Sequence, residues 1–247
     1  RKIMAENEKE EALSLQKEFE WVLNEEVHAV LNQLQTILVE CVRRFPLPLC
    51  GNDSPLKQEK FILVAHLITF KIQRQQHVLY RTTIQHDHPW KLHQVQDAGN
   101  HLQQALCHID NIGKNYAFTS APYMGNILNC LQRGRSSLIV PRKRTIDDLM
   151  RSRNMKSLTP NLPEDLAISF YIQSHKLIFA VYQLSNIHGT MKFDTVQAEA
   201  SIPWLNEVLV LFTVALQLCQ QLKDKISVFA QYKDFTIESR STSQQAC

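Results

Sequence analysis

Hydrophobic positions follow a helical period at both ends of the chain and a strand period in between. Near the C-terminus, Leu205, Val208, Leu209, Phe212, Leu216, Cys219, Leu222, Ile226 and Phe229 recur at steps of one, three and four. One stripe at that spacing predicts an amphipathic helix over 202–232, with Pro203 in the first helical position, where a missing N–H is tolerated. At the other end, Leu15, Phe19, Val22, Val27, Val30, Leu34, Ile37 and Cys41 form a second stripe, widened by Leu23, Leu31 and Leu38. The spacing predicts one helix over 6–45, about 60 Å long at 1.5 Å per residue. Arg43 and Arg44 suit its C-terminal dipole, and Pro46 with Pro48 ends it. In the middle, Leu92, Val95, Ala98, Leu102, Ala105, Leu106, Ile109 and Ile112 predict a helix from Pro89, with Gly113 just past its end. Met124, Ile127, Leu128, Leu131 and Leu138 predict another over 121–139, and Thr145–Met150 is read as one short helical turn.

The period falls to two in a pair of places. Phe61–Ala65 is a short apolar run. Ile68, Phe70 and Ile72 then alternate with polar or opposite-face residues, as do Val78, Tyr80, Thr82 and Ile84 after Arg74-Gln75-Gln76. Alternation on both sides of a polar turn predicts a hairpin. Ile168, Phe170 and Ile172 precede a turn at Ser174-His175-Lys176, and Leu177, Phe179 and Val181 follow it, which predicts a second hairpin. Residues 185–200 read as a polar loop, and the Ser, Thr and Gln-rich tail 236–247 reads as disordered.

These elements predict an α+β, mainly α fold. Segments 6–45, 89–140 and 202–232 would form an elongated antiparallel helical bundle. Segments 57–86 and 165–200 would form a small antiparallel sheet subdomain from the two hairpins, capping one end of the bundle. Residues 133–160 are read as a basic loop region. The apolar run 208–219 is too short for a membrane span, which needs about 20 such residues, so it is read as a buried core helix.

Composition narrows the function classes. Six glycines in 247 residues, all isolated, argue against a phosphate-binding loop or dinucleotide fold, where clustered glycines bring backbone amides to the anion. Net charge is only +3, so there is no global nucleic-acid signature. Charge is uneven, however: residues 1–26 hold eight Glu against four Lys or Arg, and 133–156 hold eight Lys or Arg against two Asp. The six cysteines show no CxxC spacing. Cys41, Cys107 and Cys219 sit among apolar helical residues and are read as reduced small hydrophobes, which with the polar, acidic N-terminus suggests a cytosolic chain.

Candidate chemistry is sparse. His86, His88, His93, His101 and His108 are close in sequence, yet His101 and His108 lie about 10 Å apart along a helix and His93 faces elsewhere, so no metal site is expected. Asp147-Asp148 and Glu164-Asp165 are adjacent pairs whose side chains diverge, and the serines offer no nucleophile elbow. No catalytic residue and no cofactor is assigned. The best recognition candidate is Arg142-Lys143-Arg144 within the basic segment, suited to an anionic surface; absent interleaved aromatics disfavour nucleic acid. A second candidate is the polar side of the last helix: Gln217, Gln220, Gln221, Asp224 and Lys225.

Five stretches resemble the Rogdi family: Glu-Glu-Val-His-Ala-Val-Leu (25–31), Trp-Lys-Leu-His-Gln-Val-Gln-Asp-Ala (90–98), Val-Tyr-Gln-Leu (181–184), Ile-Pro-Trp-Leu-Asn (202–206) and Gln-Leu-Cys-Gln-Gln-Leu-Lys-Asp-Lys-Ile-Ser-Val-Phe (217–229). The likeness is poor over 114–165 and absent after Phe235. The chain reads as shorter than the family near Ala65–His66 and around 188–199, which are taken as variable loops. The resemblance implies a non-enzymatic adaptor in complexes of the rabconnectin or RAVE type that promote assembly of the vacuolar proton-translocating ATPase, and so acidification of organelles and synaptic vesicles. Implied partners are WD-repeat rabconnectin-type proteins and peripheral pump subunits, with membrane association through the complex. Implied locations are the cytoplasm, with the nucleus and synaptic-vesicle or endolysosomal membranes as further sites. The family is also described by a leucine zipper, but no leucine here repeats every seven residues for four heptads, and the stripes are wider than a two-stranded seam. Intramolecular packing and a monomer are therefore expected. Two alternatives stay open: a basic-patch protein acting in the nucleus or at membranes, and an enzyme with a site at the junction of bundle and sheet.

Overall fold

The computed structural model describes residues 2–45, 62–63, 68–72, 78–88, 90–112, 122–151, 157–187 and 189–243. Helices are α1 (Lys2–Trp21), α2 (Val27–Arg44), α3 (His93–Asp110), α4 (Pro122–Ile139), α5 (Ile146–Arg151) and α6 (Pro203–Ser243). Strands are β1 (Ile62–Leu63), β2 (Ile68–Lys71), β3 (Leu79–Ile84), β4 (Trp90–Lys91), β5 (Leu158–Thr159), β6 (Leu166–Gln173), β7 (Lys176–Ile187) and β8 (Thr190–Ser201). The mainly helical α+β class read from the sequence is the class observed. The chain divides into a helical unit (1–41, 101–133, 211–247) and a mixed unit (42–100, 134–210).

In the helical unit the apolar stripes bury one another. Val22, Val27, Leu31, Leu34, Leu38 and Cys41 are buried, as are Leu102, Ala105 and Ile109 of α3. Met124, Ile127, Leu128 and Leu131 of α4 join Phe212, Ala215, Cys219, Leu222 and Ile226 of α6 in the same condition. The N-terminal stripe has one irregular step, five residues from Val22 to Val27. A five-residue π-helical turn, Val22–Glu26, takes up that step, with the Val27 N–H donating to the Val22 carbonyl. An i to i+5 turn keeps Val22 and Val27 on one face where a pure α-helix would bring Glu26 there instead. Phe19 stacks on Phe229 at 5.7 Å, and the Lys225 ammonium meets Glu26 at 2.7 Å.

The mixed unit is built around β6. Strand order is β6-β7-β8 in one sheet, β2-β3-β5 in another, and β1-β4 in a two-residue ladder, all antiparallel. Both predicted hairpins are present, each within its own sheet. Ile168 of β6 packs with Ile68, Ile84, Leu158 and Val181, edged by Phe70, Phe170 and Phe179. Its opposite face carries Ala167 and Tyr171 into a second cluster with Leu149, Ile178 and Tyr182. Burial on both faces explains the nearly unbroken apolar run of this strand. Phe45 of the mixed unit meets Trp204 edge-on at 5.7 Å, and Leu205 and Val208 are fully buried.

Three readings from sequence are corrected. Residues 185–200 are not a loop: β7 continues to Ile187, Gly189 takes a positive φ of 79° in the turn, and β8 pairs with β7 along its whole length. Residues 236–243 are not irregular, because α6 runs to Ser243; no proline or glycine follows Pro203 to stop it. The region 133–160 is not one basic loop, since 133–139 complete α4, 146–151 form α5 and 158–159 form β5. The turn Arg74-Gln75-Gln76, Gly113 and the Ala65–His66 junction lie outside the described residues.

Candidate functional site

The basic trio sits on the connection 141–145 between α4 and α5, and its three side chains have different jobs. Arg142 pairs with Asp97 of α3 at 2.6 Å. Arg144 turns inward, donating to the Ile168 carbonyl at 3.2 Å and the Asp148 carbonyl at 3.0 Å. Burial pulls its pKa down, partly offset by Asp148. Lys143 is exposed. The trio therefore does not present one shared cationic face: Arg142 pairs with Asp97, Arg144 braces a core strand, and of the three only these two line the cleft described below.

The bond from Arg144 to β6 belongs to a row. On this edge of β6 the carbonyls of Ile168, Phe170 and Ile172 point outward at alternate residues, and a side chain meets each. Arg144 takes Ile168, the Trp90 indole N–H takes Phe170 at 3.3 Å, and Gln94 takes Ile172 at 2.8 Å. Gln94 also accepts the Ile172 N–H at 2.8 Å, so its amide replaces a neighbouring strand. Its Nε2 reaches the Val140 and Ser137 carbonyls as well, at 2.9 and 3.1 Å. Gln94 is only 3% exposed, one of few buried polar side chains. Sequence reasoning missed this arrangement. Gln94 and Trp90 are 78 and 80 residues from their partners, and a helix-start glutamine carries no signal of such a role.

Beside this capped edge lies an open cleft of about 480 Å³. Lys91, Arg142 and Arg144 supply its charge, Trp90 and Phe170 an apolar wall, and Ser157 and Ser169 hydroxyls. The two rings meet edge-on at 5.6 Å. Among the described residues its lining includes His93 but no carboxylate and no thiol.

Asp148 is accounted for structurally. Its carboxylate accepts from the Thr145 amide at 3.0 Å and hydroxyl at 2.7 Å, while the Thr145 hydroxyl accepts the Asp148 N–H at 3.1 Å. This reciprocal capping starts α5 and holds the Asp148 carboxyl below the usual range. Asp147 is exposed, and Glu164 and Asp165 sit in the turn before β6.

The polar residues of α6 also divide. Gln220 donates to Asp224 at 2.7 Å, and Lys225 is held by Glu26. Gln217 and Gln221 are exposed, and Val210, Val214 and Val228 share their outward side at helical spacing. By length and composition alone Pro203–Ala230 would suffice to cross a membrane. Its stripe from Leu205 to Ile226 is nevertheless buried within the protein, as the core-helix reading expects.

Among the described residues no group of three or more His, Cys, Asp or Glu is placed to hold a metal. Cys41, Cys130 and Cys219 are buried cysteines; Cys107 is exposed, against expectation, because it lies beside the buried Leu102–Ala105–Ile109 stripe rather than on it. Cys219 donates to the Met124 carbonyl at 3.6 Å, and burial pushes its pKa to about 12.

Residues 18–195 match the family model described as Rogdi leucine zipper containing protein. "Protein rogdi" of Drosophila melanogaster is 56% identical over 264 residues, covering 98% of this chain and 98% of the fly protein. "Protein rogdi homolog" of Homo sapiens is 35% identical over 280 residues, covering 93% and 97%. The Caenorhabditis elegans homolog is 30% identical over 199 residues, covering 72% and 68%. The likeness to the fly protein therefore extends through 114–165 and into the tail, beyond the stretches legible by eye.

Proposed function

This chain belongs to the Rogdi family, and from that premise we propose that it is a non-enzymatic adaptor. It would join WD-repeat rabconnectin-type proteins to peripheral subunits of the vacuolar proton pump and so promote pump assembly and acidification of organelles and synaptic vesicles. The pump, the partners and a cytoplasmic or vesicle-membrane location are part of this proposal. Family membership is the observation that carries it. Two features of the molecule are compatible with the reading. The outward side of α6 combines Val210, Val214, Gln217 and Gln221, an apolar centre with polar neighbours of the kind partner surfaces use. Among the described lining residues of the cleft beside β6 there is no carboxylate to orient His93 or to serve as an acid or base, so the described site gives the enzymatic alternative no support. The basic-patch alternative is weakened because Arg142 is paired and Arg144 is turned inward.

Affinity capture of the tagged chain from cytosol, with mass spectrometry, tests the proposal. Recovery of rabconnectin-type WD-repeat proteins together with peripheral pump subunits is the expected result. Normal pump reassembly in cells deleted for this protein would refute it.

A further inference from the structure

We propose that the cleft beside β6 receives a phosphorylated serine or threonine side chain of a partner protein. The inference deepens the adaptor reading and rests on it, by assigning a recognition chemistry to one surface.

Charge comes first. The lining brings three basic side chains together, Lys91, Arg142 and Arg144, with no carboxylate among the described lining residues; Asp97 pairs with Arg142 from outside the lining. A phosphomonoester carries a charge of about −2 near neutral pH and three strong acceptor oxygens, so it matches that surplus. The guanidinium of Arg144 is already fixed by the Ile168 and Asp148 carbonyls, so little side-chain freedom is lost on binding. Arg142 is held in place by Asp97 at 2.6 Å, and a guanidinium carries five N–H donors, more than one carboxylate contact needs.

Backbone geometry adds a donor. In a strand the N–H and C=O of one residue point to the same edge. The Phe170 carbonyl points at the Trp90 indole, so the Phe170 N–H faces this edge as well. No acceptor among the described residues meets that N–H, whereas the Ile172 N–H is taken by Gln94. An oxyanion in the cleft would supply the missing acceptor, and the Trp90 and Phe170 rings would flank the carbon chain that bears it.

The same features exclude other occupants. Trp90, Gln94 and Arg144 already cap the carbonyl row, so a peptide strand has no free ladder to join. Binding to an anionic membrane favours many exposed lysines and arginines spread over a surface, whereas these cations converge on one recess.

Fluorescence polarisation of the full chain with labelled, degenerate phosphoserine and phosphothreonine peptides tests the inference. The same peptides without phosphate, phosphoinositide vesicles and inorganic phosphate are the comparison arms. Phosphorylated peptides should bind about tenfold more tightly than unphosphorylated ones. Lys91→Ala with Arg142→Ala should remove that difference, while Lys143→Ala, outside the lining, should change affinity by less than about twofold. In the unmutated chain, bound phosphopeptide should shield Lys91 from acetylation and leave Lys143 reactive, a readout independent of variant folding. Equal affinity for both peptide sets, binding confined to vesicles, or an unshielded Lys91 would overturn the inference. Loss of phosphopeptide binding with WD-repeat partners still captured would remove the cleft's role and leave the adaptor reading intact; the reverse would spare the cleft alone.

Discussion

A single amide does the work of a strand at Gln94. Its side chain both donates to and accepts from the backbone of Ile172 while buried to 3% exposure. Replacing it by leucine keeps the approximate volume but leaves the Ile172 N–H and C=O without partners. Each unsatisfied buried group costs about 1–3 kcal/mol, so Gln94→Leu should destabilise the fold by about 2–5 kcal/mol in urea denaturation. A loss under half a kilocalorie would mean that water replaces the amide. Gln94→Glu should be at least as harmful, because a carboxylate would face three carbonyl oxygens. Asp148 offers a test by pH. Hydrogen bonds from the Thr145 hydroxyl and amide hold its folded pKa below the ordinary value. Its contribution is therefore fully present above the unfolded carboxylate pKa of about 4 and is lost as pH falls through the lower folded value. The melting-temperature gap between the parent and Asp148→Ala should be constant near neutrality and close in acid. A gap that persists unchanged in acid would show that the charge of Asp148 is irrelevant to the cap.

Elements differ in how openly the sequence declares them. The long helices were legible because each buries one face, so apolar residues recur at the helical period in Leu205–Ile226 and Leu92–Ile109. Strand β6 was legible through its apolar run. By contrast β8 was not, since only Met191 and Phe193 are half-buried and Asp194 to Ser201 are all exposed, which leaves most of this edge strand with no alternation to read. The basic trio was visible as charge, but the caps that give Arg144 its role come from residues distant in sequence. The π turn was half legible: the five-residue step from Val22 to Val27 is written in the stripe, yet only the backbone shows how it is absorbed. Deleting Asn24 removes that extra residue and leaves a four-residue step, which an ordinary α-helix accommodates. The variant should therefore fold with helical circular dichroism and melting temperature close to the parent. Inserting an alanine there instead would add about 100° of rotation and should lower the melting temperature sharply. If the deletion destabilises as much as the insertion, the π turn has a purpose beyond register.

For the molecule as a whole, the question is what the leucine stripes are for. A family described by a leucine zipper invites the expectation of two chains joined along a seam. Such a seam needs leucines facing outward before the second chain arrives. Here Leu31, Leu34, Leu38, Leu102, Leu128, Leu131 and Leu222 are buried against other helices of the same chain. Among the described leucines, Leu13 and Leu79 are exposed, and they lie on α1 and β3, too far apart in the sequence to form a repeat. The hydrophobic term that drives a zipper is already used inside the chain, so a second copy gains little from these positions. The protein should accordingly run as a monomer in light scattering across a wide concentration range. Leu34→Asp separates the two accounts. An interchain seam would turn a folded dimer into a folded monomer, whereas an intramolecular core places a carboxylate in an apolar site and should unfold the helical unit, with loss of helical signal and no change from monomer mass in what stays soluble.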